Sequence, residues 1–141
     1  MSRSQPVVVS GVIGNDIHVV ANRVLQLCLE AIGFRVVNIA TNNMPEDFIE
    51  AALEVDAQAV LIGSLNGEAP HWCRNLRAGF AAAGKGDIWI YLGGNVVTGQ
   101  WEPERVQAYF RDLGIDRVYY GATDFDDMIA QLAEDIRYGR A

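Results

Sequence analysis

Cysteine is scarce in this chain. Cys28 and Cys73 are the only two, too few and too far apart for a zinc or iron–sulfur motif, and nothing points to an oxidising compartment. Positive charge is scarce as well: 11 Lys and Arg stand against 18 Asp and Glu, for a net charge of −7. With no basic cluster to neutralise phosphates, nucleic acid and anionic membranes are disfavoured as partners. No apolar run reaches the roughly 18 residues a membrane span needs. The first six residues lack the basic and apolar regions of a signal peptide, so the expected location is cytoplasmic.

Familiar nucleotide motifs are missing too. Gly11-Val12-Ile13-Gly14 is not G-x-G-x-x-G, and no acidic residue closes the second apolar run, which ends near Asn38; a Rossmann dinucleotide site is disfavoured. Without G-K-[ST] there is no P-loop. A phospho-receiver would carry a carboxylate after the third apolar run and a lysine after the fifth, where Gly63-Ser64 and Tyr119-Tyr120-Gly121 stand instead. Flavin binding is not excluded by chemistry, but it leaves Asp16 and His18 without a task.

What is present is a regular alternation. At 141 residues, half of them hydrophobic, the chain suits one soluble domain spanning 1–141. Strand-length apolar runs at Val7–Gly14, Phe34–Ala40, Ala57–Gly63, Ile88–Leu92 and Ile115–Tyr120 are separated by helical patterns. In the first of these, Val20, Val24, Leu27, Cys28 and Ala31 predict one buried face, with Cys28 a core thiol. A helix beginning near Pro45 has Glu46 and Asp47 in its first turn, where the dipole favours them. The next is predicted as one helix from Pro70 to Gly84, then one from Glu102-Pro103 to Gly114, and a last from Thr123-Asp124 to Tyr138. Asp124, Asp126 and Asp127 there need no metal to explain them. Such alternation specifies an α/β fold: a five-stranded parallel sheet, doubly wound in three layers, in flavodoxin-like (Rossmann-like) order.

In that order the loops after the first, third and fourth strands meet at one crevice. They carry Asn15-Asp16-Ile17-His18, Ser64-Leu65-Asn66 and Gly93-Gly94-Asn95. A neutral imidazole ligates transition metals well, and a carboxylate two residues away suits the group that fixes its tautomer. His71, Trp72 and Cys73 open a helix near the crevice. His71 is expected in solvent, and Trp72 is a candidate anchor for a partner.

The three loops resemble the cobalamin-binding domain family, whose fingerprint is D-x-H-x-x-G, S-x-L and a Gly-Gly pair at set spacings. Asp16, His18, Leu65, Gly93 and Gly94 match. GVIGNDIHVVANRVL, GFRVVNI, EDFIEAA, GGNVVTG and GIDRVY look like segments of the small subunits of adenosylcobalamin-dependent glutamate mutases, over nearly the whole chain. Two positions depart: Ala21 replaces the glycine of the first motif, and Gly63 the serine of the second. Ser64 follows, but one step along a strand reverses side-chain direction.

The resemblance implies adenosylcobalamin bound base-off, the cofactor's benzimidazole buried in a slot and His18 on cobalt with Asp16 behind it. The implied site comprises Asn15, Asp16, Ile17, His18, Val19, Gly63, Ser64, Leu65, Asn66, Gly93, Gly94, Asn95, Val96 and Val97. The implied reaction interconverts L-glutamate and threo-3-methylaspartate by a radical route. A domain this short leaves the upper face of a large cofactor open, whereas a radical needs a dry, closed site. The implied partner is a large (β/α)8-barrel subunit. Two alternatives use the same loops: a corrinoid carrier of a methyltransferase, disfavoured by the absence of room for a helical cap before Val7, and a cobalamin-binding sensory module.

Overall fold

The computed structural model describes residues 5–14, 20–64, 67–120 and 125–139, the side chains of Val20 and Ala21 excepted. Five apolar segments form parallel strands: β1 (Val7–Val12), β2 (Arg35–Asn38), β3 (Ala59–Gly63), β4 (Trp89–Gly94) and β5 (Arg117–Tyr120). β-branched residues suit a pleated surface covered on both sides. The order is β2-β1-β3-β4-β5, the flavodoxin-like order, with its switch between β1 and β3. Register sets Val12 beside Gly63 and Gly63 beside Gly93.

Helices cover the two faces unequally. On one lie α2 (Pro45–Val55), α3 (Ala69–Cys73), α4 (Leu76–Ala82) and α5 (Pro103–Asp112), packing Phe48, Phe80 and Phe110 against Val9, Ile13, Val60, Ile62, Ile90 and Leu92. α2 starts where expected: Pro45 occupies its first turn, and the Asp47 carboxylate accepts the Met44 N–H at 2.7 Å, satisfying a donor the helix leaves open. On the other face lie α1 (Val20–Ala31) and α6 (Phe125–Tyr138), which meet Val8, Leu61 and Tyr91 through Leu25, Leu29, Met128 and Leu132.

The buried side of α1 differs from the one predicted. Leu25 and Leu29 are 8% and 0% exposed, whereas Val24 and Leu27 are 41% and 53% exposed, and Cys28 is only half-buried. Apolar residues wrap more than half of this helix, so periodicity identified two adjoining stripes, and contact with the sheet selected the leucines. The single helix predicted over 70–84 is two, separated at Arg74-Asn75. Asn75 leaves helical backbone at φ −118°, ψ 15°, consistent with a side chain that competes with helical hydrogen bonding.

α6 is tied to the sheet by a buried polar group. Asp135, 6% exposed, accepts hydrogen bonds from Tyr91 Oη, Arg117 Nε and Nη2, and Gln131 Nε2. Burial drives its carboxyl upward, but the Arg117, Tyr91 and Gln131 donors outweigh it and hold the acid below its ordinary value. Burial together with Asp135 raises the Tyr91 phenol. Among the described residues, no helix is long and apolar enough to cross a membrane.

Candidate functional site

The rim at the C-terminal ends of β1, β3 and β4 is built largely from backbone contacts. At the end of β1, Ile13 N–H reaches Gly63 O at 3.0 Å and Gly14 N–H reaches Asn43 O at 2.7 Å. Asn43, 6% exposed, donates its amide to Val12, Ile39 and Ala40 carbonyls, pinning the strand end where residue 15 follows. Gly14 has φ +76°, and a Cβ there would lie 2.5 Å from Trp72 Nε1 and 2.9 Å from Glu68 Oε2. Only glycine fits. Trp72 is thus half-buried against the core, its indole N–H facing Glu68, while His71 is exposed beside it.

The loops after β3 and β4 are joined to each other. Ser64 N–H donates to Gly93 O and Gly67 N–H to Asn95 O, both at 3.0 Å. Gly67 turns at φ +73° against Thr98, and Gly94 turns at φ +101°. Asn95 is exposed. Val96 and Val97, expected at a slot wall, are 0% and 1% exposed and pack in the core of the α2–α5 face. Asn15, Asp16, Ile17, His18, Val19, Leu65 and Asn66 lie outside the described residues. Among the described residues, no group of three or more His, Cys, Asp or Glu is placed to hold a metal.

Strand alternation assigns the remaining site residues to faces. Gly63 lies two residues beyond Leu61, and Gly93 two beyond Tyr91, so both face α1 and α6. A Cβ at Gly63 would meet Gly11 O and Val12 Cγ2 at 3.8 Å, and one at Gly93 would meet Tyr119 O at 3.7 Å. These are ordinary contacts: among the described residues, packing does not force glycine at either position. Both glycines remain partly exposed. Among the described residues, the rim row Val12–Gly63–Gly93–Tyr119 on the α1/α6 face therefore lacks side chains at its centre, leaving a trough floored by Gly63 and Gly93.

Among the described residues, two buried hydroxyls have no hydrogen-bond partner, Ser10 Oγ and Ser64 Oγ. Leaving a buried hydroxyl unpaired costs about 1–3 kcal/mol. Ser64, one step past Gly63, belongs by alternation to the opposite face. Ser10, two residues beyond Val8, belongs to the face of the trough. The residue-by-residue reading missed it; the visible signal was a lone serine in the apolar run Val7-Val8-Val9-Ser10-Gly11-Val12.

A cavity of about 520 Å³ opens at the other end of the sheet, lined by Arg77, Asp87, Arg111, Asp116 and Arg117 among others. Arg77 is already paired with Asp116, and Arg117 with Asp135.

Residues 6–110 match the B12 binding domain family. Two glutamate mutase sigma subunits align over nearly full length: that of Clostridium tetani at 43% identity over 92% of this chain and 94% of its own, and that of Carboxydothermus hydrogenoformans at 41% over 91% and 93%. The chain belongs to the B12-binding domain family, among the glutamate mutase sigma subunits. A cobalamin-binding protein from Desulfitobacterium hafniense DCB-2 shares the fold, with a TM-score of 0.74 at 18% identity over 92% of this chain and 58% of that structure. The trough of this B12-binding domain fits a flat heteroaromatic group: glycines floor it, and an unpaired hydroxyl lies on the same face.

Proposed function

We propose that this chain binds adenosylcobalamin base-off, with His18 as a cobalt ligand and Asp16 orienting it, as the small subunit of a radical mutase interconverting L-glutamate and threo-3-methylaspartate. Membership in the B12-binding family makes cobalamin the ligand, and in the sigma-subunit family makes the chain one component of an isomerase that works with a catalytic subunit. Cobalamin, when bound, supplies the homolytic chemistry. The observation that carries the reading is the glycine-floored trough on the α1/α6 face, opening at the rim where β1 leads into Asp16 and His18.

This chain's own residues bind and position. Gly63 and Gly93 let a planar base lie close to the sheet. Asn43 and the Gly14–Trp72 contact fix where the chain leaves β1, and so where the His18 segment starts. Asp16 would accept a hydrogen bond from the proton-bearing nitrogen of His18, leaving the other nitrogen free to donate to a metal. Gly63, in place of the family's serine, removes a hydroxyl without blocking the trough. A partner of (β/α)8-barrel fold would close the exposed side and carry the substrate-binding groups.

Visible spectra of adenosylcobalamin with the full chain, alone and with the sigma subunit's catalytic partner, test this reading. A base-off spectrum is expected with wild type. His18→Ala should change it and weaken binding. If the substitution leaves the spectrum unchanged, His18 is not the ligand.

A further inference from the structure

Ser10 is 0% exposed, and its hydroxyl has no hydrogen-bond partner. It stands in a strand whose other buried side chains are apolar. A hydroxyl so placed gains nothing from the fold, and alanine would fill the position without the cost. Its location is specific. Ser10 pairs with Leu61 on β3, while Val12 pairs with Gly63. It therefore lies one strand over from Gly63 and one pleat deeper, on the face that carries the trough. The neighbouring position on β2, Asn38, is already engaged: its carbonyl accepts Asn22 Nδ2 and Ala40 N–H, and its amide donates to Gln26. Among the described residues of this face, Ser10 is the buried hydroxyl left unpaired.

We propose that Ser10 reads the cofactor's displaced base from one pleat below the floor of the trough, its O–H donating to the ring nitrogen freed when that base leaves cobalt. The inference rests on the base-off reading above. An N-glycosylated benzimidazole has one lone-pair nitrogen, an acceptor that must find a donor once buried. Gly63 and Gly93 supply none from their side chains, and Ser64 points to the other face. Ser10 pairs two groups that would each be unsatisfied alone: a protein hydroxyl in the free chain and a ring nitrogen in the bound cofactor. It is a specificity-determining residue for the base, without contact to the reacting atoms.

The test compares wild type and Ser10→Ala as full chains with the catalytic partner, titrated with adenosylcobalamin and with adenosylcobinamide, which lacks the base. Wild type should prefer adenosylcobalamin. Ser10→Ala should lose about 5–10-fold of affinity for it, the scale of one neutral hydrogen bond, with adenosylcobinamide unchanged. The unliganded variant should melt at or above the wild-type temperature, since it sheds an unsatisfied group. Retained preference in Ser10→Ala overturns the assignment of Ser10 alone. Equal wild-type affinity for the two corrinoids overturns base burial itself. A lower melting temperature of the free variant would mean that Ser10 has a structural partner, and would also overturn the proposal.

Discussion

The two faces of this sheet are packed to different ends. Against α2–α5, Phe48, Phe80, Phe110, Ile13 and Leu92 are essentially inaccessible, and the interior is filled with large apolar groups. Against α1 and α6, the half of the sheet farther from the rim is packed alike, with Val8, Leu61, Tyr91 and Leu132. The rim row, between Val12 and Tyr119, carries Gly63 and Gly93 instead, with Ser10 one pleat deeper beside Leu61. Both faces belong to one sheet with one register, so their difference lies in side chains and not in backbone. One face stabilises the domain, and the other holds back side-chain volume at the place where a ligand enters.

Substitutions should separate the two. Phe110→Ala on the filled face should cost about 3–5 kcal/mol of stability, the usual range for a buried aromatic, with cobalamin affinity of the folded fraction unchanged; chemical denaturation alongside titration checks both. Asp135→Ala should cost about 2–4 kcal/mol, since Tyr91 keeps a buried hydroxyl and Arg117 loses its partner. Filling the trough should act in the opposite sense. Gly63→Val meets only ordinary contacts at its Cβ, so the fold should persist while cobalamin binding weakens about 10- to 100-fold, the scale of overpacking. Equal binding would mean that the trough is not the entry for the base.

Acid offers a gentler probe of the α1/α6 face. Asp135 has a folded value below its ordinary one near 3.8, so it binds its proton less readily folded than unfolded. Its contribution is present above the ordinary value and is lost as pH falls below it, through the folded value. Asp135→Asn should flatten the acid limb of a melting-temperature profile in that window. The smallest difference concerns the thiols. Burial pushes Cys73 up to about 12 and Cys28 is only half-buried, so a thiol reagent at pH 8 should label Cys28 first, as mass spectrometry of peptides would show.

Much of this was legible in the sequence. Apolar runs alternating with amphipathic stretches gave the strands and their parallel order, because an element buried on both faces has no polar positions to disguise it. The side of α1 was not legible: Val24 and Leu27 compete with Leu25 and Leu29, and only the sheet decides between them. The separation of α3 from α4 was hidden for a similar reason, since Ala69, Cys73, Leu76 and Phe80 keep helical spacing across Arg74-Asn75. Gly93 and Gly94 were recognisable by motif, but that Gly63 and Gly93 share a floor depends on register, a property of strand pairs. Ser10 was invisible to a search for chemistry in loops, because it sits inside a strand.

Arg77 has a consequence at the far end of the molecule. Its guanidinium gathers the carbonyls of Gly86, Ile88 and Gly114 and the carboxylate of Asp116, and Asp116 in turn takes the Ile90 amide. The entrances to β4 and β5 are thereby stitched into one unit, while their exits border the trough. Amide hydrogen exchange should divide along that line. Protons at Ile90 and Asp116 should exchange slowly whether or not cobalamin is present, and ligand-dependent protection should fade along each strand from exit to entrance.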